Sequence, residues 1–303
     1  MERFYSMTQY CKERFGKKLY RIALDGGFSC PNRENASGGC IFCSENGSGD
    51  FAFGGEDMDK CIENAKQRVS KKAANSGYIA YFQANTGTFA PPERLMKIYA
   101  PIVERDDIDV LSIATRPDCL DDGVMGVLKY LSSKKPVWVE LGLQTADDEI
   151  ARLINRGYPT STYLEAVRRL KEMGIDVITH AIIGLPGETD DTLINTMRVI
   201  SESRCAGIKL HLLHVLKNTR LYEMYAAGEL DTLEMTEYFR RLSLCLEHLS
   251  PDIAIHRLTG DGDKRILVSP MWSADKKRVL NSMHRYFEEH DVIQGKFFRG
   301  III

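Results

Sequence analysis

Residues 19–43 read LYRIALDGGFSCPNRENASGGCIFC, a candidate strand that runs directly into a loop with three cysteines. The first six residues are rich in apolar side chains, which is typical of a buried strand. The loop holds Cys30, Cys40 and Cys43 among glycines, and glycine permits tight turns and close approach of the backbone to a bound group. The stretch therefore predicts a metal centre at the carboxyl end of a first strand.

Five further apolar runs follow, separated by amphipathic segments with helical periodicity. The six candidate strands lack strict alternation, which is typical of strands covered on both faces. They lie at residues 19–24, 78–83, 109–114, 136–142, 175–183 and 207–213. Repeated strand–helix units predict a parallel sheet with right-handed crossovers. Six units are fewer than the eight that close a full barrel, so a partial barrel and an open doubly wound sheet both fit.

After residue 230 the alternation loosens into a helix, a strand-like segment at 253–258 and a final helix near 274–290. We therefore expect an α/β core of residues 1–230, which includes the cysteine loop. Residues 231–303 are expected to form a short α/β extension packed on the same structural unit. The segment at 256–273 combines glycines, charges and a tryptophan, which favours a loop across the barrel mouth.

Composition excludes several classes of protein. Of the 303 residues, 44% are hydrophobic and 27% are charged, and no apolar run reaches the roughly 20 residues that a membrane-spanning helix needs. The amino terminus is charged and has no apolar signal-peptide segment, so we expect a cytoplasmic protein. Its eight cysteines are then expected to be metal ligands or buried thiols rather than disulfides.

The number of cysteines in the loop bears on the kind of metal centre. A structural zinc ion takes four ligands, usually as two short pairs. Here only Cys40 and Cys43 form such a pair, and the first histidine in the chain is His180. A [4Fe–4S] cluster bound by three thiolates keeps one iron open for a further ligand, which is a chemical reason for an odd count. Zinc, with Cys11 or Cys61 as fourth ligand, stays open as the weaker alternative.

The three cysteines, with Phe42 before the last of them, resemble the cluster motif of the radical S-adenosylmethionine (SAM) enzymes. The commonest form of that motif has three residues between its first two cysteines, whereas this chain has nine. The longer form is similar to that of the Elongator catalytic subunit. It resembles still more the YtqA/YhcC-like stand-alone family, whose loop likewise contains GFSCPNR, GGCIFC and GSGDF.

The resemblance implies a partial (β/α)6 TIM-like barrel of the radical SAM type. It implies a [4Fe–4S] cluster on the three cysteines, with SAM bound to the open iron through its amino and carboxylate groups. An electron from the cluster would cleave SAM to a 5′-deoxyadenosyl radical, which removes hydrogen from the substrate. An electron donor such as flavodoxin or ferredoxin is then an expected partner.

Further segments resemble the SAM-binding motifs of these enzymes, and each implies a contact. Asn85 and Thr86, in QANTGT, are expected near the methionyl amino group. The stretch at 139–158 is similar to that of oxygen-independent coproporphyrinogen oxidases and implies contacts of Gln144 and Arg156 with SAM. In that match Arg156 is the charge partner of the methionyl carboxylate.

The remaining candidates lie on the fourth, fifth and sixth strands. A buried Glu140 needs a hydroxyl or cation partner, and both an adenosine ribose and a structural arginine fit. His180 lies where relatives carry a cofactor-contacting acid, although a core histidine is also possible. Gly184 is expected to allow close approach of the adenine. Lys209 and His211 share one face of a strand, directed either into the barrel or outward.

The resemblance implies tRNA as substrate, at a wobble uridine whose C5 carboxymethylaminomethyl group becomes aminomethyl. Two basic sets are expected to dock the tRNA at the barrel mouth. They are Lys12, Arg14, Lys17 and Lys18, and Lys276, Lys277 and Arg278. A porphyrinogen-like or other small molecule is the alternative substrate, and a zinc-bound RNA-binding module is the alternative without catalysis.

Overall fold

The computed structural model describes residues 2–34, 38–44, 52–72, 76–260 and 262–300. Its strands are β1 (Leu19–Asp25), β2 (Phe53–Gly54), β3 (Gly77–Phe82), β4 (Val110–Thr115), β5 (Val137–Gln144), β6 (Asp176–Ile183), β7 (Gly207–Leu212), β8 (Val215–Leu216), β9 (Ala254–Arg257) and β10 (Leu267–Ser269). The GSGDF end of the cysteine loop, at residues 47–51, lies outside the described residues.

Helices connect most of these strands. They are α1 (Met7–Phe15), α2 (Pro31–Glu34), α3 (Met58–Val69), α4 (Pro92–Val103), α5 (Asp122–Lys134), α6 (Asp148–Leu153), α7 (Thr160–Glu172), α8 (Asp190–Ser203), α9 (Arg220–Ala226), α10 (Met235–His248) and α11 (Lys276–Glu289). Short 3-10 turns lie at Ser70–Lys72, Pro117–Cys119 and Met271–Ala274. None of the helices that the structure describes is long and apolar enough to cross a bilayer.

The main sheet is parallel and has the strand order β2-β1-β3-β4-β5-β6-β7-β9. Its curled, incomplete barrel confirms the predicted fold class, and all six predicted strands are present. The segment at 253–258 differs from the expectation, because it supplies β9 of the main sheet rather than a separate element. The crossover through α9 and α10 brings β9 alongside β7, as parallel pairing requires. The proposed division at residue 230 stays a prediction.

The two faces of the sheet bury different residues, as β5 shows. Val139, Leu141 and Leu143 point outward and pack in the large apolar core beneath the helices. The alternate positions point inward, where Trp138 joins a smaller apolar cluster and Glu140 lines a cavity. Both faces are therefore covered, which explains why the strands lack an alternation of apolar and polar residues.

Helix α1 closes the amino end of the half-barrel. The ring of Tyr10 packs edge-on against Trp138 at 5.8 Å, and its hydroxyl donates to Asp176 at the start of β6 over 2.8 Å. Arg14 pairs with the same carboxylate at 2.9 Å, and Lys17 pairs with Asp109, just before β4, at 2.7 Å. This position corrects the expected docking role of the first basic set, because it lies at the end of the barrel opposite the cysteine loop.

Candidate active site

A cavity of about 540 Å³ opens at the carboxyl ends of the parallel strands. Inward-facing residues of β1, β3, β4, β5, β6, β7 and β9 form its inner wall. The three loop cysteines and, from the segment at 256–273, Gly260, Gly262 and Asp263 also line the cavity, and the crossing of its mouth by that segment stays a prediction. Trp272 of that segment points away, because its indole N–H donates to the Leu233 carbonyl over 3.0 Å.

Cys30, Cys40 and Cys43 all line this cavity. The Cys30 carbonyl accepts from the Arg33 amide at 2.9 Å, which starts the short helix α2, and the Cys43 amide donates to the Cys40 carbonyl at 3.1 Å. Between the last two cysteines, the Ile41 amide donates to the Ile154 carbonyl at 3.1 Å. The thiols are therefore held by short turns that the barrel scaffold anchors.

The electrostatics of the loop favour thiolate formation at Cys43. A hydrogen bond from the Cys40 thiol lowers the pKa of Cys43, and the Arg33 guanidinium lowers it further. The same bond, together with burial, raises the pKa of Cys40. Asn32 supports the pair, because its side-chain amide donates to Cys40 Sγ at 3.5 Å and to the Asn155 carbonyl at 2.7 Å.

As the described residues are arranged, the three thiols do not form a ready site for a single metal ion. Within the described ranges, no three His, Cys, Asp or Glu side chains are grouped closely enough to hold one metal ion. A zinc site would need its thiolates about 2.3 Å from one centre. A [4Fe–4S] cluster instead distributes its thiolates over separate irons. Of the other cysteines, Cys11, Cys61, Cys205 and Cys245 are buried in the core, as expected for packed thiols.

Asn85 and Thr86 line the cavity beside the cysteine loop. The Asn85 side chain donates to the Phe28 carbonyl at 3.1 Å, and the Thr86 amide donates to the Ser29 carbonyl at 3.1 Å. Asn85 has a φ of +53°, a conformation that costs free energy for a residue with a side chain. These residues therefore fix the backbone before Cys30, and their contact with SAM stays a prediction.

Gln144 ends β5 and lines the cavity with a strained backbone. Its φ is +65°, and the register of β5 with β6 shifts between Gly142 and Gln144. The Gln144 side chain folds over Gly142, where an added Cβ would lie 2.8 Å from Nε2. Strain at a residue that lines a cavity suits a binding role, which stays a prediction for Gln144.

Arg156 lines the cavity but is 1% exposed, and all five of its N–H groups have acceptors within the chain. Nη1 donates to the Leu143 and Thr145 carbonyls at 2.6 Å each, and Nε donates to the Tyr158 carbonyl at 2.9 Å. Nη2 donates to Asp148 at 3.0 Å and to Thr160 at 3.2 Å. The geometry gives no support to the predicted pairing with a cofactor carboxylate, because no donor is left. Arg156 instead ties the end of β5 to the following loop.

Gly184 is not among the described residues that line the cavity, and its predicted closeness to the adenine stays a prediction. Its amide donates to Glu188 Oε1 at 2.7 Å, and an added Cβ would lie 3.1 Å from Leu233 Cδ1. Its φ of +96° is the conformation that favours glycine. Glycine is therefore required here for the turn into α8 and for packing on Leu233.

Glu140 lies at the centre of a buried polar network on the inner wall. Oε1 accepts from Ser112 at 2.9 Å, and Oε2 accepts from His180 Nε2 at 2.6 Å and from Lys209 Nζ. Burial alone would raise the pKa of Glu140, but Lys209 and His180 outweigh it and hold that pKa well below its usual range. Of the two expected partners, the arginine is present, since Arg21 Nε lies 3.9 Å from Glu140 Oε1, and a lysine and a histidine complete the set.

His180 is neutral in this network. Burial and the charge of Lys209 lower the pKa of His180 to about 4. It lines the cavity while donating to Glu140, so the predicted cofactor contact stays a prediction. Lys209 and His211 both point into the barrel, which settles the open question of their direction.

Sequence reasoning missed three residues of the site. Arg21 and Tyr81 lie on the inner wall, and Tyr158 stacks beneath Arg116 at 4.7 Å. The sequence could have identified Arg21, because it lies two residues from Leu19 and from Ala23 and therefore shares the inward face of β1 with them. No sequence pattern could have identified Tyr158 as a site residue, since its position depends on the loop after β5.

Fold and site together define an enzyme class that binds a metal cluster at the mouth of a partial barrel. The chain belongs to the radical SAM superfamily: residues 29–200 match the Radical SAM superfamily and residues 205–289 match the Radical_SAM C-terminal domain. Membership implies an enzyme that uses SAM and a [4Fe–4S] cluster.

Particular relatives are similar over different lengths. YtqA of Bacillus subtilis is 42% identical, covering 99% of this chain and 94% of that protein. The tRNA uridine(34) acetyltransferase of Methanocaldococcus jannaschii is 26% identical, covering 60% of this chain and 33% of that enzyme. The solved structure of the archaeal Methanocaldococcus infernus Elp3 gives a TM-score of 0.68 at 17% identity, covering 91% of this chain and 64% of that one. At that identity the structural likeness shows the fold alone.

Proposed function

We propose that the chain is a radical SAM enzyme that modifies the C5 side chain of a tRNA wobble uridine, converting carboxymethylaminomethyl to aminomethyl. The observation that carries the proposal is that Cys30, Cys40 and Cys43 line one cavity of about 540 Å³ with the polar end of β5. That volume lies within the range of small-molecule sites, about 300–1,000 Å³, and suits a cofactor and one nucleobase.

When bound, the cluster and SAM would supply a 5′-deoxyadenosyl radical that takes a hydrogen from the CH2 beside the substrate carboxylate. Return of one electron to the cluster and addition of water would then break the C–N bond, leaving the aminomethyl group and releasing the two-carbon unit as glyoxylate. The residues of this chain bind and orient the cluster and SAM. The three thiolates hold the cluster, and the Gln144 amide with Asn85 and Thr86 offers donors and acceptors to SAM. The side chains of Tyr81 and Ile182 reduce the width of the cavity at its inner wall and exclude water from that part of it. Flavodoxin or ferredoxin is the electron donor in this proposal.

Two observations support tRNA as substrate. The tRNA uridine(34) acetyltransferase that resembles this chain acts, by its name, on a tRNA wobble uridine. In addition, exposed Lys217 and Lys264 lie at the mouth beside the short strands β8 and β10, where the Lys217 amide donates to the Ile266 carbonyl at 2.8 Å. Enzymes that act on a base draw it out of the stack into a pocket, which leaves the phosphates at the rim. A cytoplasmic location is part of the proposal, because tRNA is found there.

The test is anaerobic turnover with tRNA from a strain that lacks the gene. The reconstituted protein, SAM and dithionite should yield 5′-deoxyadenosine only when tRNA is added, and nucleoside mass spectrometry should show conversion of carboxymethylaminomethyluridine to aminomethyluridine. Cys40→Ala should abolish both signals and the brown cluster absorption, whereas the buried-core control Cys245→Ala should retain them. Turnover with a porphyrinogen and none with tRNA would instead support the small-molecule substrate.

Binding measurements can separate the contribution of the rim lysines from that of the residues that line the cavity. Replacing Lys217 and Lys264 by glutamine should flatten the slope of log affinity against log salt by about 0.7–0.9 for each phosphate that the variant no longer neutralises. SAM affinity should stay the same, because neither residue lines the cavity. A salt slope that is unchanged in this variant would remove the rim from the proposed interface.

A further inference from the structure

The inner wall of the cavity carries two buried nitrogen atoms that have no hydrogen-bond partner among the described residues. They are Arg21 Nε and His211 Nε2, and both residues line the cavity. Leaving a buried donor unpaired is costly, and native structures do so rarely. Two such atoms on one cavity wall therefore indicate an acceptor that comes from a ligand.

Both atoms lie next to the same carboxylate. Arg21 Nε is 3.9 Å from Glu140 Oε1, while Arg21 Nη2 is 2.6 Å from His256 Nδ1. The His211 ring is 5.1 Å from that of His180, which is bonded to the other oxygen of Glu140. Glu140 accepts from Ser112, His180 and Lys209, and at 3.9 Å its Oε1 is beyond hydrogen-bond distance of Arg21 Nε, so Arg21 Nε and His211 Nε2 stay unsatisfied.

The charges on this wall point to the chemistry of the ligand. Glu140 is the one carboxylate among the described strand residues that line the cavity, and Lys209 already neutralises it. Arg21 adds a further positive charge, held over the Tyr81 ring at 5.8 Å. Buried charges of one sign are strongly unfavourable unless an opposite charge is brought close. An anion is therefore the ligand that the wall favours.

The protonation states of Arg21 and His211 also suit the binding of an anion. Burial, with the nearby His180, Arg257 and Lys209, holds the pKa of His211 well below its usual range. A neutral imidazole carries one N–H, and its tautomer can place that hydrogen on Nε2. Together with the Arg21 N–H, this gives two donors for the oxygens of one carboxylate.

We infer that Arg21 and His211 bind a carboxylate of the substrate. The inference rests on the proposed function for the identity of that substrate, where the carboxylate is the end of the C5 carboxymethylaminomethyl group. A backbone phosphate is excluded from this depth, because the base alone enters the pocket. SAM also carries a carboxylate, so the test must separate the two sources. Arg21 and His211 lie on strands of the inner wall, whereas the thiols lie on the loop after β1.

The test compares two anticodon stem-loop RNAs that differ only in this group. One carries the free carboxylate and the other its amide, and both are titrated into the SAM-loaded holoenzyme. Wild type should prefer the carboxylate by about 10- to 100-fold, the range of a charge-assisted hydrogen bond. His211→Phe keeps the ring and removes Nε2, and it should lose most of that preference. His284→Phe, at an exposed histidine of α11, is the matched control and should keep it.

Two further measurements distinguish substrate binding from a folding defect and from cofactor binding. The thermal midpoint of the His211→Phe apoprotein should equal or exceed that of wild type, because the variant breaks no hydrogen bond in the described chain. Its SAM affinity should be unchanged. Weakened SAM binding with an intact carboxylate preference would assign the wall to the cofactor and overturn the inference.

The outcomes also separate this inference from the proposed function. Equal binding of the two stem-loops to wild type would overturn the inference and leave tRNA as substrate. If neither stem-loop binds, the proposed function fails, and sodium acetate then tests the wall alone. Acetate should raise the thermal midpoint of wild type above that in equal sodium chloride and should not do so for His211→Phe. Equal midpoints in wild type would overturn the inference.

Discussion

Arg156→Met is expected to destabilise the fold and to leave the affinity for SAM almost unchanged. The substitution removes five hydrogen bonds, of which three are to the backbone carbonyls of Leu143, Thr145 and Tyr158. The Leu143 carbonyl keeps the Thr145 amide as a donor at 2.8 Å, whereas the Thr145 and Tyr158 carbonyls lose the Arg156 donor at a cost of about 1–3 kcal/mol each. The loss of the Asp148 pair adds little, because that carboxylate is 50% exposed and water can solvate it.

The two carbonyls together with the other lost hydrogen bonds should lower the unfolding free energy by about 3–5 kcal/mol after partial relaxation. For a chain of this size, 1 kcal/mol corresponds to roughly 2–4 °C, so the thermal midpoint should fall by roughly 6–20 °C. Urea unfolding of the apoprotein measures the first quantity, and scanning calorimetry measures the second. Isothermal titration of the folded variant with SAM should give a dissociation constant within about threefold of wild type.

Arg152→Met is the matched control, at an arginine with a 69% exposed side chain at the end of α6. Its stability should stay within about 0.5 kcal/mol of wild type. The reasoning would be refuted if Arg156→Met kept wild-type stability and lost SAM binding. That result would restore the charge-partner role implied by the sequence resemblance.

Three other outcomes are expected. Lys209→Met should lower the unfolding free energy by about 3–5 kcal/mol because it leaves Glu140 buried without its cation, and adding Glu140→Gln should recover part of that loss. Additive effects of the two substitutions in the double-mutant cycle would show that the pair is not coupled. Gln144→Gly should relieve a positive φ and leave the unfolding free energy unchanged or about 1 kcal/mol higher while SAM binding weakens; unchanged SAM affinity would exclude Gln144 from the site. Burial raises the pKa of Glu188 to about 7 despite its pair with Arg241, so the contribution of Glu188 to stability is full below about pH 4.3 and declines as the pH rises toward 7. Glu188→Gln should remove this decline when the unfolding free energy is measured by urea unfolding at several pH values. If the variant keeps the same dependence on pH, the decline belongs to another group.

The parts of the structure that depend on local sequence could be predicted. Each strand of the barrel is a contiguous apolar run, and the three thiols lie in a glycine-rich loop, so both could be located before any contact was known. A requirement for glycine at Gly184 was likewise implied by its motif. The cause of that requirement was not, since packing against Leu233 depends on how a distant loop folds back.

The parts that depend on long-range contacts could not be predicted. A motif gives Arg156 its neighbours in sequence, but its acceptors are carbonyls brought to it by the turn after β5. The direction of Lys209 was open because both faces of its strand are covered, so no solvent-facing alternation distinguished them. The charge of Arg14 did not reveal which end of the barrel it occupies, because its partner Asp176 lies on a later strand.

Closure of the amino end by α1 has a kinetic consequence. With Tyr10 and Trp138 packed beneath the inner wall, cofactor and substrate exchange through the mouth at the carboxyl end. In the proposed function, tRNA seated on that mouth covers the route of the small cofactor, so SAM must then enter first and the cleaved cofactor must leave last. Steady-state inhibition should then follow an ordered sequence: S-adenosylhomocysteine should compete with SAM, whereas excess tRNA should slow turnover by covering the route before SAM has entered.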